Sequence, residues 1–334
     1  MPGLQDFRFG KPGHYPDQSI YAEYACAEFG LAFEEIDGGT GLVFRVASAN
    51  KSMPFGAGRC SWYPQNNATA ASLATDKYFC QMILERAGVL TLGGRYFFLH
   101  DRHRAHRPPG HERGDALDYF RILGASAFAK PLTGSRGDFA QGIYGEEALS
   151  KYLDGVSRYY DSVLIQPIVA GAEYRIFLLD DDVVYCARKH PPSLVGDGVS
   201  TMRDLLAKHD AALQSRGLSS AAIATDSEET PNLVLPNGQR WEIPGRMNLS
   251  AGGAIVLEPG RAESAVAAPA RRAVQALGLR VAAVDLFTDI EGEPGAARVI
   301  EVNSNPSIQL LEQSNRGDLI LKIWRHTFAA MGLI

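Results

Sequence analysis

Two apolar segments near the C-terminal end have the composition of buried strands, yet each carries polar side chains. The segment LRVAAVDLFTDIEG places Asp285 after four small or branched apolar residues. The segment RVIEVNSNPS carries Glu301 and Asn303 two residues apart, hence on one face of a strand. The link TDIEGEPG is rich in turn residues, which favours an antiparallel hairpin. The segments are too apolar for an exposed polar hairpin, so one face is expected to hold Asp285, Glu301 and Asn303 together.

This set of side chains indicates a metal site. Two carboxylates and an amide oxygen are hard donors, which suit Mg²⁺. Protein-bound Mg²⁺ is usually shared with substrate phosphates. The hairpin therefore predicts a magnesium site that works together with a phosphate-bearing substrate, with Mn²⁺ as an alternative metal.

A glycine-rich loop follows a strand that ends in a lysine. The stretch AFAKPLTGSRGDFAQGIY contains Lys130 and then Gly134, Ser135, Arg136 and Gly137. Glycines let backbone N–H groups approach a phosphate closely, and the lysine can reach it as a point charge. The order of residues is neither a P-loop nor a dinucleotide-binding fingerprint. An ordinary surface hairpin remains the alternative.

The next hairpin carries opposite charges on one face. In the strand EYRIFLL, which pairs with VVYCARK, Glu173, Arg175 and Phe177 share a face because side chains alternate along a strand. Glu173 and Arg175 are either a structural ion pair or contacts for a ribose hydroxyl and a phosphate.

Local patterns predict the nearby helices and loops. One helix is expected to begin at Ser19 and end at Gly30. A second is expected to begin at Thr75 and end at Gly88, with Phe79, Met82 and Ile83 on one apolar face. Residues 100–115 read as an exposed loop, and its four histidines fit a solvated linker better than a zinc site because arginines lie between them. The polar stretch 58–70 is either a substrate-facing wall or a linker.

Composition excludes several protein classes. A chain of 334 residues suits two or three subdomains, and its net charge of −5 argues against nucleic-acid binding. No run approaches the roughly 20 apolar residues of a membrane helix, and no signal peptide is recognised. The four cysteines lack metal-site or disulfide spacing, so reduced thiols in a cytoplasmic protein are expected.

Five stretches in order resemble the ATP-grasp superfamily. The resemblance is greatest to the glutathione-synthetase-like region of cyanophycin synthetases and bifunctional glutathione-forming ligases, and it covers the chain from about Asn66 to the end. The stretches are ATDKYFCQMILERAGV, AKPLTGSRG, the segment that begins GAEYRIFLL, GRMNLSAGG, and VDLF with EVNSNPS.

The resemblance implies a role for each matching position. The residues implied to contact ATP are Lys77, Lys130, Gly134, Ser135, Arg136, Gly137, Gln166, Val169 and Glu173. The residues implied to hold the substrate carboxylate, the phosphoryl group and the oxyanion are Arg175, Arg188, Arg246 and Asn248. The implied Mg²⁺ ligands are Asp285, Glu301 and Asn303.

The resemblance also implies a fold and a reaction. The expected class is α/β (α+β), with an N-terminal substrate-side region at 1–75, a helix and lid subdomain at 76–170, and a C-terminal subdomain with the metal site at 171–334. The expected reaction joins a small-molecule carboxylate, an amino acid or peptide, to an amine through an acyl phosphate, releasing ADP and phosphate. The alternatives are an ATP-grasp phosphotransferase and a nucleotide-binding regulatory protein. A homodimer is expected, without nucleic-acid or membrane partners.

Overall fold

The computed structural model describes residues 3–56, 62–134, 137–215, 232–243, 253–261, 266–293 and 295–334. Its strands form sheets of three, four and five strands and a two-stranded ribbon. The strand pairs in these sheets are antiparallel. Helices pack against the sheets, so the predicted mixed class is confirmed, in its α+β form.

The N-terminal part is a small helix-and-sheet layer. Its elements are α1 (Leu4–Arg8), α2 (Asp17–Phe29), β1 (Ala32–Glu35), β2 (Val43–Ala47) and β3 (Ser52–Gly56). Strands β1 and β2 form an antiparallel hairpin, and α2 ends at Gly30 as predicted, in the left-handed conformation. The predicted start of α2 at Ser19 is wrong. Pro16 holds the cap position, and the buried Ser19 hydroxyl donates to the carbonyl of Gly41.

Two short helices precede the lysine-bearing strand. They are α3 (Ala68–Thr75) and α4 (Lys77–Arg86). Asp76 caps α4 by accepting hydrogen bonds from backbone N–H groups of its first turn, whereas the predicted cap, Thr75, is the last residue of α3. The predicted apolar face of α4 is also displaced, because Phe79 is 52% exposed. The buried side chains of α4 are Cys80, Gln81 and Leu84.

A four-stranded sheet carries the glycine-rich loop. Its strands are β4 (Arg95–Phe98), β5 (Ser126–Pro131), β6 (Gln141–Tyr144) and β7 (Ser162–Gln166), in the order β4-β7-β5-β6. Helices α5 (Arg113–Ile122) and α6 (Glu146–Val156) cover it through a core that includes Phe97, Phe120 and Leu153. The predicted loop 100–115 contains a short 3-10 turn at Arg104–His106, and its last residues belong to α5.

The five-stranded sheet is the centre of the molecule. Its strands are β8 (Ala172–Leu179), β9 (Asp182–His190), β12 (Ala254–Leu257), β13 (Val281–Thr288) and β14 (Arg298–Asn303), in the order β12-β9-β8-β13-β14. The hairpins β8–β9 and β13–β14 are those predicted from the sequence. The remaining elements are β10 (Ser193–Val195), α7 (Met202–Ser215), β11 (Arg240–Glu242), α8 (Ala267–Leu277), α9 (Gln309–Gln313) and α10 (Gly317–Ala330).

Each face of the central sheet is buried by a different apolar core. On one face Ile176 and Leu286 belong to a core shared with α3, α4 and α8. On the other, Phe177 and Ala283 belong to a core shared with α2, α10 and the N-terminal strands. The strand alternation places Arg175 and Asp285 on this second face, where it continues beyond the apolar core.

The remaining expectations concern the cysteines, membrane-spanning helices and subdomain boundaries. Cys26, Cys80 and Cys186 are buried, and Cys60 lies outside the described residues, so the expectation of reduced thiols stays a prediction. Among the described residues no helix is both long enough and apolar enough to cross a bilayer. The subdomain boundaries at 75 and 170 stay a prediction.

Candidate nucleotide and metal site

Strand register brings three charged side chains into one row across the central sheet. Asp285 on β13 lies directly opposite Arg175 on β8 and Glu301 on β14. Directly opposite residues of an antiparallel pair share a face. Asp285 and Glu301 therefore lie side by side, as the two sequence patterns predicted. Asn303 is two residues further along the same strand and donates to Glu301 Oε1 at 3.3 Å.

The carboxylate of Asp285 is buried in contact with two cations. It is 1% exposed. Arg175 grips it with two hydrogen bonds, Nε to Oδ1 and Nη2 to Oδ2, both 2.7 Å, and Lys189 Nζ donates to Oδ2 at 2.9 Å. Burial alone would raise the pKa of Asp285, but the charges of Arg175 and Lys189 outweigh it and hold that pKa well below its usual range. The side chain is therefore an anion at neutral pH.

Lys189 joins this carboxylate to a second one. Its ammonium group also donates to Glu173 Oε1 at 2.5 Å, and both side chains are 9% exposed. Burial raises the pKa of Glu173, although Lys189 opposes that effect. Glu173 and Arg175, considered from the sequence as one ion pair, thus each have a partner on a neighbouring strand.

Arg188 and Lys189 lie on opposite faces of the central sheet, and it is Lys189, which the sequence did not single out, that contacts the site. Arg188 lies opposite Tyr174, whose side chain belongs to the core on the other face of the sheet. Its guanidinium carbon lies 6.0 Å from the centre of the Tyr174 ring. Arg188 therefore lies on the opposite face of the sheet from Asp285 and Glu173, and Lys189 lies beside them; the role expected of Arg188 stays a prediction.

A β-bulge explains this exchange of neighbours. Leu179 pairs with Asp182 and Leu178 with Val183, but Phe177 pairs with Tyr185. The extra residue of β9, Val184, shifts the register by one position. Without it Arg188, not Lys189, would lie opposite Glu173. The hairpin residues alone gave no signal of the bulge.

Two lysines from other elements approach the row. Lys130, near the end of β5, is 5% exposed, and within the described residues its ammonium group makes no ion pair. Burial is the main cause that lowers the pKa of Lys130 to about 8, against the opposing attraction of Glu301. Lys77, the first residue of α4, also has a lowered pKa because of burial. Its Nζ donates to the carbonyl of Gly134 at 3.1 Å.

The glycine-rich loop starts beside these lysines. Gly134 has φ of +138° and Gly137 φ of +71°, conformations that favour glycine. A Cβ on Gly134 would also lie 3.2 Å from the ring of Tyr160. Ser135 and Arg136, between the two glycines, lie outside the described residues. The described ends of the loop are consistent with a backbone that can approach a ligand closely.

Gln166 offers an unused acceptor at the end of β7. Its Nε2 donates to the carbonyl of Gly93 at 2.7 Å. Its Oε1 is buried and has no hydrogen-bond partner among the described residues. A buried acceptor without a donor is costly, so this atom fits contact with a ligand that carries an N–H group. Val169, half-buried, lies in the segment that leads from β7 to β8.

The predicted metal ligands fit a divalent cation only in part. The cross-strand pair Asp285 and Glu301, with the neighbouring amide of Asn303, supplies oxygen donors of the right kind. A carboxylate has about four acceptor positions, and Arg175 and Lys189 fill three of those on Asp285. Across the described chain, no three or more His, Cys, Asp or Glu side chains form a group suited to a metal. The predicted set, with two carboxylates and an amide, is not a group of that kind.

Arg246 and Asn248, two of the predicted catalytic residues, lie outside the described residues.

The polar stretch 58–70 is described over residues 62–70, where buried side-chain amides form hydrogen bonds with other parts of the protein. Asn66 bonds to the backbone of Arg280, Val281 and Ser304. Gln65 donates to Thr327 at 2.9 Å. For these described residues, the linker interpretation is the better one.

Taken together, the site combines positive and negative groups from the two larger sheets and from α4. The cations are Lys77, Lys130, Arg175 and Lys189, and the carboxylates are Glu173, Asp285 and Glu301. Such a mixture can bind a polyanion that carries a metal ion, since cations contact the phosphates and carboxylates contact the metal.

Comparisons with known proteins agree with this arrangement. No protein-family model matches the chain. The glutathione biosynthesis bifunctional protein of Desulfotalea psychrophila is 25% identical over 299 residues, which cover 84% of this chain and 36% of that protein. Cyanophycin synthetase of Nostoc sp. is 26% identical over 266 residues, which cover 73% of this chain and 28% of that protein. A bifunctional glutathione synthetase structure from Pasteurella multocida superposes with a TM-score of 0.53 and 17% identity, over 93% of this chain and 43% of that one. The chain has an ATP-grasp fold.

The predicted resemblance is thereby confirmed. The two sequence relatives are of the same kinds that the five motifs indicated. The chain spans 36% and 28% of their lengths.

Proposed function

We propose that the chain is an ATP-dependent carboxylate–amine ligase that forms an amide or peptide bond. The observation that carries this proposal is the meeting of Lys77 and Lys130 with the row of Arg175, Asp285 and Glu301, in an ATP-grasp fold. Relatives named for glutathione biosynthesis and cyanophycin synthesis support it.

In this proposal the chain holds ATP between its two larger sheets. Lys130, Lys77 and the loop from Gly134 to Gly137 contact the phosphates, and Gln166 with the segment to Val169 faces the adenine. Glu173 is assigned to the ribose. Asp285, Glu301 and Asn303 would hold Mg²⁺, or Mn²⁺ in its place. When bound, the metal neutralises charge on the phosphates.

The reaction has two steps. A carboxylate oxygen of the first substrate attacks the γ-phosphorus, the bond to the bridging oxygen breaks, and ADP leaves. The nitrogen of the amine then attacks the acyl carbon of the acyl phosphate, phosphate leaves with the bonding electrons, and the amine loses a proton. Arg175 and Arg246 are assigned to the carboxylate and the phosphoryl group, and Asn248 to the oxyanion.

The names of the relatives favour amino-acid or peptide substrates, and we assign that class to both the carboxylate and the amine. A cytoplasmic location and a homodimer stay predictions.

The test is an ADP-release screen of amino acids and small peptides, each offered with hydroxylamine in place of the amine. Hydroxylamine attacks an acyl phosphate to give a hydroxamate and phosphate. We expect a hydroxamate with at least one carboxylate that stimulates ADP release. The matched controls are Lys130→Met, expected to lose the signal, and Lys151→Met, an exposed lysine on α6, expected to keep it. ADP release without hydroxamate for every active substrate would favour a phosphotransferase, and no ADP release would favour a nucleotide-binding regulatory protein.

A further inference from the structure

The negative charge of Asp285, a proposed metal ligand, is already balanced by cations of the protein itself. Arg175 and Lys189 donate three hydrogen bonds to Asp285, which leaves about one of its four acceptor positions open. Lys189 is held in place from the other side by Glu173. A metal ion that binds Asp285 must therefore compete with two cations that are fixed by the sheet.

The charges of the whole site also disfavour the binding of a metal ion without a nucleotide. The cations of the nucleotide-free site are Lys77, Lys130, Arg175 and Lys189, and they are balanced by Glu173, Asp285, Glu301 and Asp76, which lies beside Lys77. A divalent cation that arrives alone would make this buried site positive, in a setting where repulsion is weakly screened. A triphosphate supplies the opposing negative charge. Its oxygens also offer Arg175 and Lys189 other acceptors, and guanidinium groups bind phosphates well.

We propose that Arg175 and Lys189 form an internal counter-cation pair that excludes a divalent metal from Asp285 until a nucleotide is bound. This inference rests on the proposed function, because it concerns the same site. Lys189 is thus a positioning residue: it sets the order in which metal and nucleotide load, and it holds Asp285 and Glu173 in place in the meantime.

The experiment measures Mn²⁺ binding without nucleotide, by the loss of the free Mn²⁺ electron paramagnetic resonance signal. Wild-type protein should bind Mn²⁺ weakly. Lys189→Met frees one oxygen of Asp285 and removes one positive charge, so its Mn²⁺ affinity should rise by ~10-fold or more. Glu173→Gln makes the site more positive and should not raise the affinity. Lys208→Met, at an exposed lysine on α7, is the matched control and should behave as wild type.

A double variant covers the case in which Lys189→Met does not fold. Lys189→Met with Glu173→Gln removes both members of a buried pair together, a change that proteins often tolerate. It still frees Asp285 Oδ2 and should raise Mn²⁺ affinity several-fold, because an acceptor position is released. Tight Mn²⁺ binding by nucleotide-free wild type, or no gain in either Lys189 variant, would overturn the inference.

These outcomes can be told apart from failure of the proposed function. A wild type that forms hydroxamate yet binds Mn²⁺ tightly without nucleotide refutes only the counter-cation pair. A wild type that binds neither Mn²⁺ nor ATP with Mn²⁺ present refutes the nucleotide site itself.

Discussion

Replacing Lys130 with methionine should make the protein more stable while it abolishes the proposed activity. Methionine has a similar length and no charge. Lys130 is 5% exposed and makes no ion pair with a described carboxylate, so the attraction of Glu301 offsets only part of the cost of burying its protonated form. That cost appears as a pKa lowered from 10.5 to about 8.

The magnitude follows from the linkage between protonation and folding. A pKa difference of about 2.5 units corresponds to roughly 3 kcal/mol of lost stability at pH 7, where the lysine is protonated in both states. Between about pH 8 and 10.5 the folded protein has released this proton and the unfolded chain has not. Because the unfolded state then binds more protons, this part of the stability rises with pH and the cost disappears near pH 10.5.

The assay is urea unfolding of nucleotide-free wild type and Lys130→Met between pH 7 and 10.5. The variant should be more stable by up to about 3 kcal/mol at pH 7, and the difference should shrink as the pH approaches 10.5. Lys151→Met, with its side chain 75% exposed and paired with Glu147, is the control and should change stability by less than about 1 kcal/mol at any pH. A Lys130→Met variant that is less stable than wild type at pH 7, or a difference that does not change with pH, would refute this reasoning.

Three further perturbations test the fold and the site. Asn66→Ala removes four hydrogen bonds to backbone groups and should lower the free energy of unfolding by about 2–4 kcal/mol in urea titrations; a loss under about 0.5 kcal/mol would show that these bonds are not needed. Gly134→Ala places a Cβ 3.2 Å from Tyr160 at a φ of +138°, so calorimetry should show affinity for an ATP analogue reduced ~10-fold or more; unchanged affinity would argue against a role of this loop in nucleotide binding. Glu301→Gln should fold normally and slow ADP release ~100-fold, and a near-normal rate would remove Glu301 from the metal site. It is a cleaner probe than Asp285→Asn, which also leaves two buried cations without their partner.

The sequence predicted the row of charges because it depends on local rules. Asp285 and Glu301 are joined by a short turn-rich link, so their hairpin fixes which residues lie opposite each other. The contact between Asp285 and Arg175 is different, since 110 residues separate them. Nothing in either segment specifies which strands become neighbours in the finished sheet. The two hydrogen bonds from Arg175 to Asp285 could therefore be found only from the structure.

Lys189 shows a second limit. Counting back from the turn at Asp180 in a regular hairpin puts Arg188 opposite Glu173, and the single extra residue in β9 puts Lys189 there instead. A shift of one position moves a side chain to the other face of the sheet.

The wrong predictions of helix starts at Ser19 and Thr75 have a simpler cause. Both residues are good helix caps, but Pro16 and Asp76 lie nearby and occupy the caps in the structure.

The two sheets contribute to the site in unequal ways. On the central sheet Arg175, Lys189, Asp285 and Glu173 form a closed set of ion pairs, so their positions are fixed before any ligand arrives. On the four-stranded sheet Lys130 has no ion-pair partner among the described residues, and Gln166 has a buried oxygen without a donor. Unpaired groups at these depths cost stability, and a ligand with a phosphate and an N–H group would relieve both costs at once. Binding of ATP should therefore stabilise the four-stranded sheet more than the central one. Hydrogen exchange with and without an ATP analogue measures this directly: greater added protection in β5 and β7 than in β8 and β13 is the expected result, and equal protection of both sheets would contradict it.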